Sequence, residues 1–373
     1  MQIYFVLIIV ILVFGYGFRV NDNKPYKKIY LICICLFVIL LGGLRAVSVG
    51  TDTRQYWSAF NLIKELPADQ LWDTRYEPGF VILCRLLSGI SDNPHILLMV
   101  SSIMIFVPCF IFIYRNSADV VLSSYLFVTL GFILSMFNLM RQGLAIGIIL
   151  IGVEFFFKRK NYFFFLLMCV LAMQFHQSAI ISVVLIFVPS IKKWDLKKIF
   201  IATCLAPIVF VLAFAFFRVF GSLLGYMDYL GSEYSDSNYF ASAVKVLMNL
   251  FYLGTVIFAG GYLRHSEDQS IGSKVSFIDR EGLFTDIFLI SILFLQLYFY
   301  ICGMSAVIME RVTVYYNLFI VVALPRSVIN SRTLKDKFAF SYFIIFASLL
   351  YFIIIGIFRP YWTDSIPYTF GGW

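Results

Sequence analysis

Long apolar stretches alternate with short polar segments along the whole chain. Stretches longer than about 18 residues recur from end to end, and that length lets an α-helix cross the hydrocarbon core of a bilayer. The pattern predicts full spans at residues 1–18, 29–44, 95–114, 119–137, 140–157, 199–220, 243–262, 283–302, 308–325 and 338–358. We therefore expect an all-α polytopic membrane protein, one domain over residues 1–373 with about ten to twelve transmembrane elements.

Basic residues in the short loops predict how the spans are oriented. Lysines and arginines cluster after the first span, on both sides of residues 162–190, and before the last span. Because such clusters accumulate on the cytoplasmic side, these loops should be cytoplasmic and both termini should lie outside. The same loops account for the formal net charge of +8, so no nucleic acid partner is expected.

Two apolar stretches do not fit a full span. Residues 162–190 have basic flanks on both sides, and the polar break Gln174–Ser178 divides them into arms of about 14 residues, or about 21 Å. A hairpin with its apex at the break is expected, since irregular backbone at membrane depth is tolerated where it lines a polar cavity or is buried in protein. Residues 80–90 are also short, which makes 45–94 an external loop with an amphipathic or re-entrant helix. A second external loop, 221–242, is either a lid over an external site or an ordinary loop.

Polar and charged groups that hydrocarbon disfavours collect on the external side of this topology. They are Arg45, Asp52, Glu77, Arg141, Gln142, His176 and Arg311, with Tyr56 close to Asp52. Ionisable groups near membrane depth are costly unless they are paired or hydrated, so they are candidates for a functional site. We expect one outward-facing polar cavity that receives an anionic substrate.

The arginines of this set suit an anion. Arg presents a planar fork of donors that matches carboxylate or phosphate oxygens, and it stays charged when desolvated. Arg141 and Arg311 each stand at the outer start of a predicted helix, where the helix dipole also favours an anion. The alternative is that the arginines anchor in the headgroup layer and are neutralised by Glu77 or Glu310.

Asp52, Glu77 and His176 are the candidates for proton transfer. A carboxylate or an imidazole can accept the proton of a substrate hydroxyl. The structural alternatives are that Asp52 caps a helix, that Glu77 only pairs with an arginine, and that His176 is an ordinary structural histidine. The sequence contains neither an acidic D-x-D cluster nor a C-x-x-C pair, so no metal and no cofactor are expected.

Taken in order along the chain, these residues resemble the EpsG-like branch of the Wzy-type polysaccharide polymerases. The matching stretches are Arg45–Tyr56, Glu77–Phe80, Asn138–Ile146, Phe175–Ala179 and the helix of Arg311. The resemblance implies a multi-pass protein of the bacterial cytoplasmic membrane that makes O-antigen, capsule or exopolysaccharide. It would transfer a growing glycan from undecaprenyl pyrophosphate to an incoming lipid-linked repeat unit at the face toward the periplasm or exterior. By analogy alone, the fold could be of the GT-C type.

If the chain is such a glycosyltransferase, the chemistry of its site residues suggests their roles. Asp52 or His176 would accept the proton of the attacking hydroxyl, and Glu77 would orient these groups or the sugar. The residues assigned to binding the pyrophosphate and sugar are Arg45, Tyr56, Arg141, Gln142 and Arg311. Lipid pyrophosphate is already a good leaving group, so the reaction does not require a metal.

The expected partners are lipid-linked oligosaccharides, membrane lipids and, by family analogy, a chain-length regulator and a flippase. Two other functions stay open at this point. A flippase or other transporter of lipid-linked oligosaccharides would also carry arginines at membrane depth, but it should show internal repeats or paired broken helices. An O-antigen-ligase-like transferase would act on the same glycans. The sequence leaves the repeat unit and the linkage undetermined.

Overall fold

The computed structural model of the protein describes residues 1–186, 239–259, 284, 286–303, 307–358, 360 and 364–371. The described residues form helices joined by turns and loops, and none of them belongs to a strand; Arg45 and Phe370 pair in an isolated bridge. The predicted all-α fold is therefore confirmed. The α-helices of the described residues are α1 (Gln2–Gly17), α2 (Lys24–Gly43), α3 (Thr53–Glu65), α4 (Pro78–Ser88), α5 (His95–Asn116), α6 (Val120–Thr129), α7 (Phe132–Asn138), α8 (Met140–Arg159), α9 (Tyr162–Met173), α10 (Tyr239–Ala259), α11 (Asp286–Gly303), α12 (Val307–Ile329) and α13 (Leu334–Phe358).

Several of these helices are long and apolar enough to cross a membrane. Among the described residues they are α2, α5, α8, α12 and α13, and the bent pair formed by α6 and α7 adds a sixth candidate. Shorter apolar helices, such as α1 and α9, accompany them. The protein is thus a multi-pass membrane protein. The total of ten to twelve elements stays a prediction, since the expected span 199–220 and loop residues 221–238 lie outside the described residues.

The predicted span 119–137 is broken rather than continuous. It forms α6 and α7, which are bent by 50° relative to each other. Gly131, between them, has a φ of +74°, a left-handed conformation that glycine adopts without steric cost. At the other end of α6, the Asp119 carboxylate accepts hydrogen bonds from the backbone N–H groups of Val121 and Leu122, both at 2.9 Å, and so fixes where the helix begins.

The loop predicted at 45–94 contains more helix than expected. It holds α3, a 3-10 helix at Ala68–Asp73, and α4, where the sequence suggested one amphipathic helix over residues 80–90. We missed α3 because charged and polar residues interrupt its short apolar stripe. Its buried side chains are nevertheless spaced by three and four residues, as an amphipathic helix requires; they are Tyr56, Ala59, Phe60 and Ile63.

The stretch 162–190 breaks where the polar residues predicted. α9 ends at Met173, a turn follows, and a 3-10 helix runs over Gln177–Ile186. The second arm is therefore a 3-10 helix and not the α-helix that we expected. Residues 187–198, with the second basic cluster, lie outside the described residues, so the fold-back of the two arms stays a prediction. The loop predicted at 221–242 ends earlier than expected, because α10 begins at Tyr239.

The chain divides into two compact units, and the single domain predicted for residues 1–373 is not tested by this division. In the first unit, α2 packs against α5, α5 against α8, and α8 against α9, while α1 packs against α6. In the second unit, α11 packs against both α10 and α12. The first unit comprises Met1–Val184, Arg280–Leu283 and Phe338–Trp373, and the second comprises Leu185–Asp279 and Phe284–Lys337.

Within the first unit, the C-terminal residues 364–371 lie along the loop that follows α2. The backbone N–H of Ala46 donates to the carbonyl of Thr369 at 2.9 Å, and the N–H of Gly50 donates to the carbonyl of Asp364 at 2.8 Å. These bonds satisfy backbone groups that the loop itself leaves unpaired. The C-terminal segment thereby fixes the loop that leads into α3.

Candidate functional site

The carboxylate of Glu77 joins two of the predicted site residues. Its Oε2 accepts a hydrogen bond from Nη1 of Arg141, and its Oε1 lies 3.4 Å from Nδ1 of His176. The backbone N–H of Gln177 also donates to Oε1, at 3.4 Å. Glu77 is only 8% exposed. We call Glu77, Arg141 and His176 the Glu77 cluster; it brings together the start of α4, the start of α8 and the break after α9.

Local sequence explains why Glu77 is available to these partners. Pro78 disfavours helical backbone at the preceding residue, and Glu77 is extended, with φ −65° and ψ 146°. Its side chain forms no capping bond to its own helix. The N–H of Gly79 donates to the carbonyl of Gln174 at 2.8 Å. A Cβ atom on Gly79 would stand 2.7 Å from that oxygen, so glycine permits α4 to approach the break this closely.

The charge state of Glu77 follows from its surroundings. Burial alone raises the pKa of the Glu77 carboxyl, but the contact with His176 and the positive charge of Arg141 outweigh burial and lower the pKa below its ordinary value. The carboxylate is therefore ionised at neutral pH. The sequence left open that Glu77 only pairs with an arginine. In the structure the Glu77 carboxylate contacts both Arg141 and His176.

Arg141 keeps one N–H for a further acceptor. It is half-buried as the second residue of α8, and its Cζ atom lies 5.2 Å from the centre of the Tyr76 ring, a cation–π distance. Its Nε atom is buried and has no hydrogen-bond partner among the described residues. The positive end of the α8 dipole lies at the same position. An anion beside Arg141 would meet a fixed charge, an unused N–H and a helix N-terminus.

Tyr56 lies beside this arginine, and Asp52 lies near Tyr56. The buried hydroxyl of Tyr56 donates to the backbone carbonyl of Asn138 at 3.2 Å. Burial raises the pKa of Tyr56, and so does the charge of Asp52, while the nearby Arg141 lowers it. Asp52 stands at the N-terminus of α3, yet its side chain makes no capping hydrogen bond. The capping role considered for Asp52 is thus not realised, and its carboxylate is free of that helix.

Arg45 is deeply buried and donates hydrogen bonds to neighbouring groups of the protein itself. Its Nε donates to Oγ1 of Thr53 at 3.4 Å, its Nη1 donates to the carbonyl of Gly42, and its Nη2 donates to the carbonyl of Phe137 at 3.3 Å. The guanidinium also lies over the Phe137 ring, 4.8 Å from its centre. These contacts join the ends of α2 and α7 to the start of α3. They are the contacts of a structural arginine, and direct binding of a pyrophosphate by Arg45 stays an untested prediction.

For the remaining predicted residues, Gln142 and Arg311, the structure gives the helix and the exposure of the side chain. Gln142 follows Arg141 in α8 and is 1% exposed. Arg311 is an exposed residue of α12 and belongs to the second compact unit. The predicted participation of Gln142 and Arg311 in one site therefore stays a prediction.

Sequence reasoning did not assign roles to two residues that shape the site. Tyr76 covers the guanidinium of Arg141, and Asn138 accepts the backbone N–H of Thr51 at Oδ1, at 2.7 Å, besides the bond from Tyr56. The available signal was adjacency, because Tyr76 directly precedes Glu77 and Asn138 lies three residues before Arg141. Asn138 belongs to a stretch that carried the family resemblance, and Tyr76 directly precedes another.

The arrangement combines a cation with a hydrogen-bonded carboxylate and an imidazole. A guanidinium with an unused N–H can hold an anion and stabilise negative charge that develops on it. An imidazole whose Nδ1 faces a carboxylate is oriented for proton transfer at its other nitrogen. Among the described residues, no group of three His, Cys, Asp or Glu side chains is placed to hold a metal ion. The cluster thus suits displacement at a bond to an anionic leaving group.

Comparison with known proteins gives the family. A family model described as the EpsG family matches residues 28–370, a range that contains every predicted site residue and nearly the whole chain. A search of curated proteins and a search of solved structures each found no match. Since the family match extends over far more than half of the sequence, this chain belongs to the EpsG family of polysaccharide-polymerase-like membrane proteins.

Proposed function

We propose that the protein polymerises oligosaccharide repeat units carried on undecaprenyl pyrophosphate, at the outer face of the bacterial cytoplasmic membrane. The growing glycan passes from its lipid carrier to the incoming lipid-linked unit, so the protein is a glycosyltransferase. Membership of the EpsG family supports a polymerase-type role, and the apolar helices support a membrane location. The lipid carrier, the direction of transfer and the outer face belong to the proposal.

The Glu77 cluster is the observation that carries this proposal. Transfer from a lipid pyrophosphate needs a group that stabilises the departing anion and a group that accepts the proton of the attacking hydroxyl. Arg141 offers a fixed charge and an unused buried N–H. His176 offers an imidazole whose Nδ1 is 3.4 Å from a carboxylate oxygen. Both groups are half-buried, so a substrate can reach them.

The proposed step conserves charge and atoms. The acceptor hydroxyl gives its proton to Nε2 of His176 while its oxygen attacks the anomeric carbon of the donor chain. The bond between that carbon and the pyrophosphate oxygen breaks, and the electron pair leaves with undecaprenyl pyrophosphate. Arg141 balances the charge on the departing oxygen. Glu77 orients the imidazole and stabilises its protonated form, as a carboxylate does beside other catalytic histidines.

Asp52 remains the other candidate base. Its carboxylate is partly exposed and makes no capping bond, whereas His176 has an orienting partner in Glu77. We therefore assign the proton to His176 and expect Asp52→Asn to reduce the rate less than His176→Ala. The reverse order would transfer the role to Asp52.

Reconstituted protein tests the proposed function directly. The purified full-length chain would be placed in liposomes with lipid-linked repeat units, without nucleotide sugar or ATP, and the products would be separated by size. We expect a ladder of longer lipid-linked glycans. Unchanged substrate that moves across the bilayer would instead indicate a transporter, and transfer of the glycan to a different acceptor would indicate a ligase.

Matched variants connect the reaction to the cluster. Arg141→Ala and His176→Ala should insert into the membrane normally and abolish the ladder. Arg159→Ala, at the opposite end of the same helix, removes an arginine that does not contact the cluster and should preserve it. Full chain length in the Arg141 or His176 variant would remove that residue from the site.

A further inference from the structure

A cleft of about 600 Å³ opens next to the Glu77 cluster. Its walls come from α3, from the 3-10 helix Ala68–Asp73 and from the residues that follow that helix. Sites for small ligands have volumes of about 300–1,000 Å³, so this cleft is large enough for one. The side chains that give it polar character are Gln55, Ser58, Gln70, Asp73 and Thr74.

The chemistry of these walls suits a sugar better than a lipid tail. Each sugar hydroxyl both donates and accepts hydrogen bonds, and amide and hydroxyl side chains can also do both. Asp73 adds an acceptor and Arg75 adds donors. Because their charges are opposite, the cleft has no strong preference for anions. Ala59 and Leu62 add apolar surface that can cover the C–H groups of a sugar ring.

Tyr76 connects the cleft to the reacting centre. Its side chain lines the cleft, and the centre of its ring lies 5.2 Å from the guanidinium carbons of both Arg75 and Arg141. Arg75 also donates to the Tyr76 hydroxyl at 3.2 Å. The next residue is Glu77, which holds Arg141 and His176. A ligand in the cleft is thus separated from the proposed pyrophosphate position by one aromatic ring.

We propose that this cleft binds the reducing-end sugar residues of the donor chain, the ones attached to the lipid pyrophosphate. This inference rests on the proposed function, in which Arg141 holds that pyrophosphate. The first sugar is bonded directly to the pyrophosphate, so the chain has to leave Arg141 through a neighbouring polar space. The cleft provides such a space, and its side chains contribute affinity for the glycan that is separate from the affinity for the lipid carrier.

Binding measurements with two lipids separate these contributions. The full-length protein in lipid nanodiscs would be titrated with undecaprenyl pyrophosphate that carries no sugar, and with lipid-linked oligosaccharide isolated from cells that make the protein. Ser58→Trp fills the cleft, and Asp73→Ala removes one acceptor. Asp69→Ala is the matched control, because Asp69 belongs to the same 3-10 helix and does not line the cleft.

We expect selective loss of glycan binding. Ser58→Trp should weaken binding of the lipid-linked oligosaccharide about tenfold and Asp73→Ala about fivefold. Both should leave the Kd for sugar-free undecaprenyl pyrophosphate unchanged, and Asp69→Ala should change neither Kd. The proposal is overturned if Ser58→Trp binds both lipids as the wild type does, or if it loses both equally.

The extension assay separates this inference from the proposed function. The wild-type protein could form a ladder while the Ser58→Trp variant binds oligosaccharide normally. That result would refute sugar binding by the cleft and leave the proposed polymerase function intact. Wild-type protein that extends no substrate would refute the polymerase and the cleft assignment with it. The cleft could instead capture a partner protein, with that capture lost in Ser58→Trp while both lipid affinities stay normal. This result would also refute the sugar assignment.

Discussion

Replacing Gly79 by alanine tests whether the close approach of α4 to the break after α9 sets the rate of the proposed reaction. Gly79 does not belong to the Glu77 cluster, but its backbone N–H bonds to the carbonyl of Gln174, two residues before His176. The substitution adds one methyl group at this contact. It leaves every charged and hydrogen-bonding side chain of the cluster chemically intact, so any effect arises from position alone.

The size of the perturbation follows from the geometry. The new Cβ would lie 2.7 Å from the Gln174 oxygen and 2.9 Å from its Cβ, where ordinary contacts begin at 3.4 Å. The two segments must therefore separate by about 0.7 Å. His176 Nδ1 is already 3.4 Å from Glu77 Oε1, beyond the usual range of a hydrogen bond, so the same shift would separate the imidazole from the carboxylate. Overpacking of this kind costs about 1–3 kcal/mol of stability.

We expect Gly79→Ala to remain folded and to extend lipid-linked substrate about 10- to 100-fold more slowly, since misplacement by about 1 Å can cost about 10²-fold. The rate per folded molecule would be measured in liposomes, with the folded fraction taken from size-exclusion chromatography. Gly89→Ala is the control, because it lies at the other end of α4 and its Cβ would meet nothing closer than 3.3 Å. A wild-type rate in Gly79→Ala, or an equal loss in Gly89→Ala, would refute the reasoning.

Three further substitutions address the charge, the aromatic cover and the scaffold. Glu77→Gln should lower the extension rate about 10²- to 10⁴-fold. The folded pKa of Glu77 lies below its ordinary value, so the stability that Glu77 contributes is present above the ordinary carboxyl pKa and is lost as the pH falls through the folded pKa. Thermal unfolding should therefore show the wild type and Glu77→Gln converging in acid. Tyr76→Ala should weaken binding of sugar-free undecaprenyl pyrophosphate about two- to fivefold by removing the cation–π contact with Arg141, whereas an unchanged Kd would remove Tyr76 from the site. Tyr368→Phe deletes a 2.8 Å hydrogen bond to the carbonyl of Leu41 and should cost about 1 kcal/mol in a thermal-unfolding assay while the extension rate is kept; a lost rate at full stability would give Tyr368 a direct role.

The sequence predicts the helices well where length and hydropathy decide them. Spans such as α5 and α8 are continuous apolar runs, and the break at Gln174–His176 is marked by polar side chains. Other features depend on three-dimensional contacts that no local pattern contains. The left-handed backbone at Gly131 bends a uniformly apolar stretch, and the burial of Arg45 requires the carbonyl of Phe137 to lie within reach. A hydropathy profile treats Arg45 and Arg141 alike. Only the structure shows that Arg45 is buried and that Arg141 is half-buried.

The position of a carboxylate between a guanidinium and an imidazole has a physical reason in the proposed reaction. Without substrate, Glu77 neutralises Arg141, so the half-buried charges are paired and their desolvation is offset. During transfer, His176 gains a proton while the departing pyrophosphate gains a negative charge, and both changes occur beside the charges already in place. A second arginine in place of Glu77 would attract the pyrophosphate more strongly but would repel the imidazolium that must form. The carboxylate therefore favours the state of the cluster that exists only during transfer, which is the condition under which binding energy raises a rate.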